Sequence, residues 1–149
     1  MSHSESVRLC GMEIQRLGAQ FMDLLQGIEE EGIWEPGPGG SNSIGVLCAH
    51  IAGNLRHYFG AGILADGFQR DRSGEFSRKR ATRAELRKEL REALDVAQRA
   101  TEGIAESRAG KPHTTPCGQR FESLAYHVAR LTTHLAYHLG QADYASRKS

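Results

Sequence analysis

Apolar residues return every three or four positions along four stretches of the chain, and polar, Gly- and Pro-rich segments separate them. From about Glu5 to Glu30, Val7, Cys10, Ile14, Leu17, Phe21, Leu24, Leu25 and Ile28 trace one face of an amphipathic helix. The run Pro36-Gly37-Pro38-Gly39-Gly40 ends it, and Ser41 or Ser43 is placed to cap a second helix from about Ile44 to Leu64. There Ile44, Leu47, Ile51, Leu55, Tyr58 and Phe59 face inward, with His50 and Asn54 at the border of the stripe.

Asp66 to Ala81 has no period and is rich in charge, a long connection for a compact bundle. A solvated surface loop is the simpler reading and is slightly favoured; the sharper one is a lid whose Arg70, Arg72 and Glu75 reach towards a site. Thr82-Arg83-Ala84-Glu85 spells a capping box, and a third helix follows with Leu86, Leu90, Leu94, Ala97 and Ile104 inside. Its outer charges are of mixed sign, the mark of a solvated face. Lys111 to Gly118, with two prolines and a glycine, breaks the pattern, and a fourth helix is expected from near Gln119 to about Ser146. With no strand alternation and no internal repeat, the expectation is an all-α four-helix bundle with a longer crossing between the second and third helices.

Length and charge narrow the function classes. The 149 residues suit one domain, residues 1–149. Nineteen Lys and Arg against 18 Asp and Glu leave a formal charge of +1, which gives nucleic acid no basic patch to hold. The start lacks a basic head and apolar core, and no apolar run is long enough for a membrane span, so a soluble, cytoplasmic protein is expected. Cys10, Cys48 and Cys117 are odd in number and form no CxxC pair, which suits buried thiols in a reducing compartment.

The chemistry concentrates in the fourth helix. Leu124, His127, Val128, Leu131, His134, Leu135, His138 and Ala142 share one stripe. His134 and His138, four apart, stack one turn above the other on this apolar face, where an imidazole without a partner is costly. A metal ion would satisfy both. Leu135 follows the first histidine where a zinc peptidase would carry glutamate, which argues against HExxH proteolysis. His50, about two turns inside the second helix, can meet the pair at one level of a bundle. Three neutral imidazoles leave open positions on an ion, as in catalytic rather than closed structural sites, and zinc, nickel, iron and cobalt all accept them. Gln141, one turn beyond His138, is placed to orient a ligand. His127 is read as a core histidine bonded to a carbonyl, and His3, His57 and His113 are assigned to no metal.

The run SIGVLCAHIAGNLRHY (Ser43 to Tyr58), RDRSGEF (Arg70 to Phe76) and HLAYHLGQ (His134 to Gln141) together resemble the DinB superfamily of metal-binding four-helix bundles, within it a DinB-like subfamily of unsettled function. The resemblance implies a divalent ion, commonly nickel or zinc, on His50, His134 and His138, with Gln141 beside them. It also implies a homodimer, and in better-understood relatives a low-molecular-weight thiol such as bacillithiol or mycothiol as co-substrate. Three functions follow as expectations. In the first, a thiol transferase, the ion makes a small thiol into thiolate and directs it at an electrophile, with Asn54, Tyr58 and Gln141 shaping the pocket. The second is a metal-dependent hydrolase, which wants a carboxylate base that only Glu75 or Asp71 of the long connection could supply. The third is a non-catalytic, metal-stabilised dimerising bundle, and beside all three stands a metal-free bundle whose histidines are satisfied in the core.

Overall fold

The computed structural model describes residues 1–147. Four long helices form the frame: α1 (His3–Gly27), α2 (Ile44–Leu55), α4 (Arg83–Glu102) and α6 (Leu124–Ser146). Short helices α3 (Arg72–Ser77) and α5 (Glu106–Ala109) lie between them, and β1 (His113–Thr114) pairs antiparallel with β2 (Arg120–Phe121). α1 packs on α4 and α6, and α2 packs on the same two from the other side. The expected all-α bundle is therefore the observed one. Its second and third long helices are direct neighbours, so the long connection between them does not cross the bundle.

Local chemistry sets the helix ends. Ser2, Ser43 and Ser123 each accept a backbone N–H with the side-chain oxygen, and Thr82 and Glu85 complete the expected capping box. Ser123 moves the start of the last helix to Leu124, five residues beyond the expected Gln119, because Arg120 and Phe121 are held in the small ladder instead. After α2 the chain winds on as a π-helix from Arg56 to Leu64, a wider turn that is frequent at functional sites, and Tyr58 sits within it.

The core draws on all four long helices, including Phe21 and Leu25 from α1, Leu47 and Ile51 from α2, Leu86 and Leu90 from α4, and Val128 and Leu135 from α6. Close approach of α1 to α4 depends on Gly18, where a β-carbon would lie 2.4 Å from the Leu94 side chain. No described helix is long and apolar enough to cross a membrane.

Candidate metal centre

His134 and His138 project from α6 one turn apart, and their Nε2 atoms are 3.0 Å from each other. α2 packs on α6 and brings His50 to the same level, with its Nε2 3.4 Å from that of His134. All three donor atoms lie within 4.8 Å of one another, the one group of three or more such ligands among the described residues that could hold an ion. The sequence pairing of these three is what the fold brings together.

For two of the rings the outward-facing nitrogen decides which atom is free. His138 Nδ1 is 2.7 Å from Gln141 Oε1, an acceptor only, so Nδ1 carries the proton and Nε2 is bare. Gln141 is itself oriented by donating from Nε2 to the Tyr137 hydroxyl at 3.3 Å. His50 Nδ1 donates to Glu75 Oε1 at 3.1 Å, which bares the Nε2 of His50 in the same way. Burial first, then the neighbouring imidazoles His138 and His50, holds His134 far down, at about 4, and burial lowers His138 as well. The lone pairs on the Nε2 atoms of His50 and His138 thus both face His134 Nε2, at 3.4 and 3.0 Å, and a neutral His134 in its Nδ1–H form adds a third to the set. Tetrahedral donors at the usual Zn–N distance are about 3.3 Å apart. The donor set thus fits a divalent ion in both chemistry and spacing.

Glu75 is the residue that the favoured reading of the long connection missed. Residues 72–77 are helical, capped by Asp71, whose Oδ1 accepts from the Gly74 N–H at 3.0 Å. This short helix presses Glu75 against α2, where it is only 8% exposed. Arg70 grips it with two bonds of 2.8 Å, from Nε to Oε2 and from Nη2 to Oε1. Burial alone would push the Glu75 carboxyl up, but the bonds from Arg70 and His50 outweigh it and hold the group below its usual range. The carboxylate reaches α2 because residue 53 is glycine: a β-carbon there would stand 2.0 Å from Glu75 Oε2. Phe76 lies over His50 with ring centroids 4.8 Å apart, and Arg72 over Phe76 at 5.1 Å. The connection is therefore partly ordered: Glu75 and Phe76 pack on His50, while most of its other residues remain exposed.

An open cavity of about 340 Å³ lies over the three histidines and is lined also by Asn54, Tyr58, Phe121 and His127. Asn54 is buried and Tyr58 half-buried. A larger cavity, about 920 Å³ between α1 and α6, has no comparable set of ligands. His127 departs from expectation. It is 2% exposed, yet its Nδ1 has no partner, so it is not bonded to a carbonyl. Its ring is instead held by stacking on Phe121 at 4.1 Å and 12°, with His113 on it at 5.2 Å. Burial, then His113 and Arg130, lowers it to about 4. His3 is engaged at the far end of the molecule with Glu106, and His57 lies beside Tyr58.

Comparison with known proteins agrees with this picture. The family model for mycothiol S-transferases matches residues 13–147, and the chain belongs to that family, a branch of the DinB-like bundles. Among solved structures it is similar to a mycothiol-dependent maleylpyruvate isomerase and to a histidine-to-alanine variant of that enzyme. Each superposes with a TM-score of 0.70 at 12% identity, over 91% of this chain and 60% of the isomerase. The chain thus spans less than two thirds of those proteins, and the likeness shows the shared fold. No curated protein matches the chain.

Proposed function

We propose that this protein is a metal-dependent mycothiol S-transferase, which joins the sulfur of mycothiol to a small electrophile. The observation that carries the reading is the convergence of donor nitrogens from His50, His134 and His138, all within 4.8 Å of one another, on an open cavity. The family supplies the thiol: its members are named for transfer from mycothiol.

His50, His134 and His138 hold a divalent ion, nickel or zinc. When bound, such an ion supplies positive charge that lowers the pKa of a nearby thiol, so that it is thiolate at neutral pH. Glu75 and Gln141 keep the Nδ1 protons of His50 and His138 turned outward, which fixes both rings with their lone pairs inward. Because all three holding residues are neutral, none of them cancels the charge that favours the thiolate. Burial, then the Cys117 thiol 3.9 Å away, raises the Tyr58 hydroxyl, so it stays protonated and faces the substrates as a donor. Phe121 and Leu131 make the apolar side of the pocket.

Transfer needs no protein nucleophile or carboxylate base, and the cavity lining includes no acidic side chain. Glu75 is committed to Arg70 and His50, and Asp71 to the α3 cap, which removes the two bases that hydrolysis would have called on. We place the activity in this bundle, of which the family model matches residues 13–147, acting in the cytoplasm as a homodimer.

The test is conjugation of mycothiol to monochlorobimane by untagged protein with its metal content measured. Turnover is expected at about one equivalent of ion, with both ion and turnover absent in the His50→Ala, His134→Ala, His138→Ala triple variant. Full metal loading without any thiol transfer would leave a metal-stabilised bundle in its place.

A further inference from the structure

The cavity holds more positive charge than binding a sugar thiol can use. Arg70, Arg72 and Arg130 line it, and no carboxylate does. Arg70 is neutralised by Glu75. Arg72 and Arg130 are not: among the described residues neither guanidinium has a hydrogen-bond or carboxylate partner, and Arg72 only overlies the Phe76 ring. They reach the cavity from different elements. Arg72 opens α3, which its Asp71 cap and the buried Glu75 fix in place, and Arg130 stands one turn before His134 on α6.

A divalent ion on three neutral imidazoles keeps its full charge, and one thiolate offsets half of it. Mycothiol has no carboxylate or phosphate, so it leaves Arg72 and Arg130 without a counter-ion. A guanidinium at such a position is suited to a carboxylate, which accepts two parallel N–H bonds from it. Beside them the Phe121 ring, stacked on His127, offers a flat wall to a planar body.

We propose that the electrophile bears a carboxylate on a planar conjugated frame, and that Arg72 and Arg130 bind the carboxylate while the frame lies along Phe121. The inference rests on the thiol-transfer reading of the site. For an activated alkene the step balances without oxidant or reductant. The thiolate sulfur forms a bond to the alkene carbon, the π pair moves to the conjugated carbonyl as an enolate, and that enolate takes a proton from water. The proton lost by the thiol passes to solvent.

The experiment compares 3-benzoylacrylate with its methyl ester as acceptors for mycothiol, in the zinc-loaded parent and the Arg72→Gln, Arg130→Gln double variant. Both arginines are exposed and unpaired, so the variant keeps the fold. The expected result is a fall of about 30- to 100-fold in kcat/KM for the acid, with the ester within about threefold of the parent. Equal losses for acid and ester, or no loss for either, would overturn the proposal. Calorimetry with the unreactive 4-oxo-4-phenylbutanoate separates this from failure of transfer itself. Even if neither acceptor turns over, the acid should bind about tenfold more weakly to the double variant while its methyl ester is unaffected. Equal affinity of the acid for parent and variant would place the carboxylate elsewhere and overturn the proposal.

Discussion

Replacing Gly53 by alanine adds one methyl group to α2, and its consequence falls on the metal. The new β-carbon would lie 2.0 Å from Glu75 Oε2 and 2.6 Å from its Cδ, against an ordinary contact of 3.4 Å or more. The carboxylate must retreat by about 1.4 Å, the difference between a 3.4 Å contact and 2.0 Å. The 3.1 Å bond from His50 Nδ1 then lengthens beyond hydrogen-bond range, and the ring is free to turn or to change tautomer. Loss of such an outer partner weakens metal binding by about 10- to 100-fold, or roughly 1.4 to 2.7 kcal/mol. Against this, alanine in place of glycine inside a helix gains about 1 kcal/mol. The expected signature is therefore split: little change in the chemical unfolding of the metal-free protein, but a large fall in zinc affinity measured by competition with a chromophoric chelator. In a Glu75→Ala background the same Gly53→Ala change should cost no further affinity. Zinc binding by Gly53→Ala within twofold of the parent would refute the role given to Glu75.

Three further outcomes follow from the packing and the titrating groups. His127 titrates at about 4 in the fold against an ordinary value of 6.5, so between these pH values the unfolded chain binds a proton that the native state refuses. Stability therefore falls as pH drops from about 6.5 towards 4, by about 2 kcal/mol after allowing for water in the cavity, and urea melts of His127→Phe should lose that part of the slope. Gly18→Ala drives a β-carbon into Leu94 at 2.4 Å and should lower stability by about 1 to 3 kcal/mol in the same melts. Thiol titration should find Cys117, exposed and lowered chiefly by its Thr115 hydrogen bond, the most reactive thiol, and Cys48, buried and pushed up to about 12, silent until unfolding.

The helices were legible because each carries its own signal. Period, capping residues and the Pro-Gly breaks are local, and they locate α1, α2, α4 and most of α6. The histidine cluster was legible for a related reason: four-residue spacing puts His134 and His138 on one face, and His50 sits deep enough in its helix to meet them. What was not legible depends on contacts between distant residues. Nothing periodic marks Arg72 to Ser77 as a helix. It is ordered by the Asp71 cap and by Glu75 lying against Gly53 and His50, some twenty residues earlier. The same sequence stretch without those partners reads as a charged surface loop. The start of α6 moved because β-pairing of Arg120 and Phe121 with His113 and Thr114 competes with helix propensity. His127 looked like any core histidine, and only the tertiary structure shows a ring stacked on Phe121 with a buried, unpartnered nitrogen beside the cavity. The signal that could have found Glu75 was its place between Arg70 and Phe76 in a stretch that also supplied the family resemblance.

X-ray absorption at the zinc edge of the loaded protein, before and after mycothiol is added, tests the central claim most directly. Before addition, a first shell of nitrogen and oxygen at about 2.0–2.1 Å is expected, with the imidazole pattern lost in the His134→Ala variant. After addition, one sulfur should enter at about 2.3 Å. A shell unchanged by saturating mycothiol would contradict the account, because the ion would then be holding the bundle together and not the thiol.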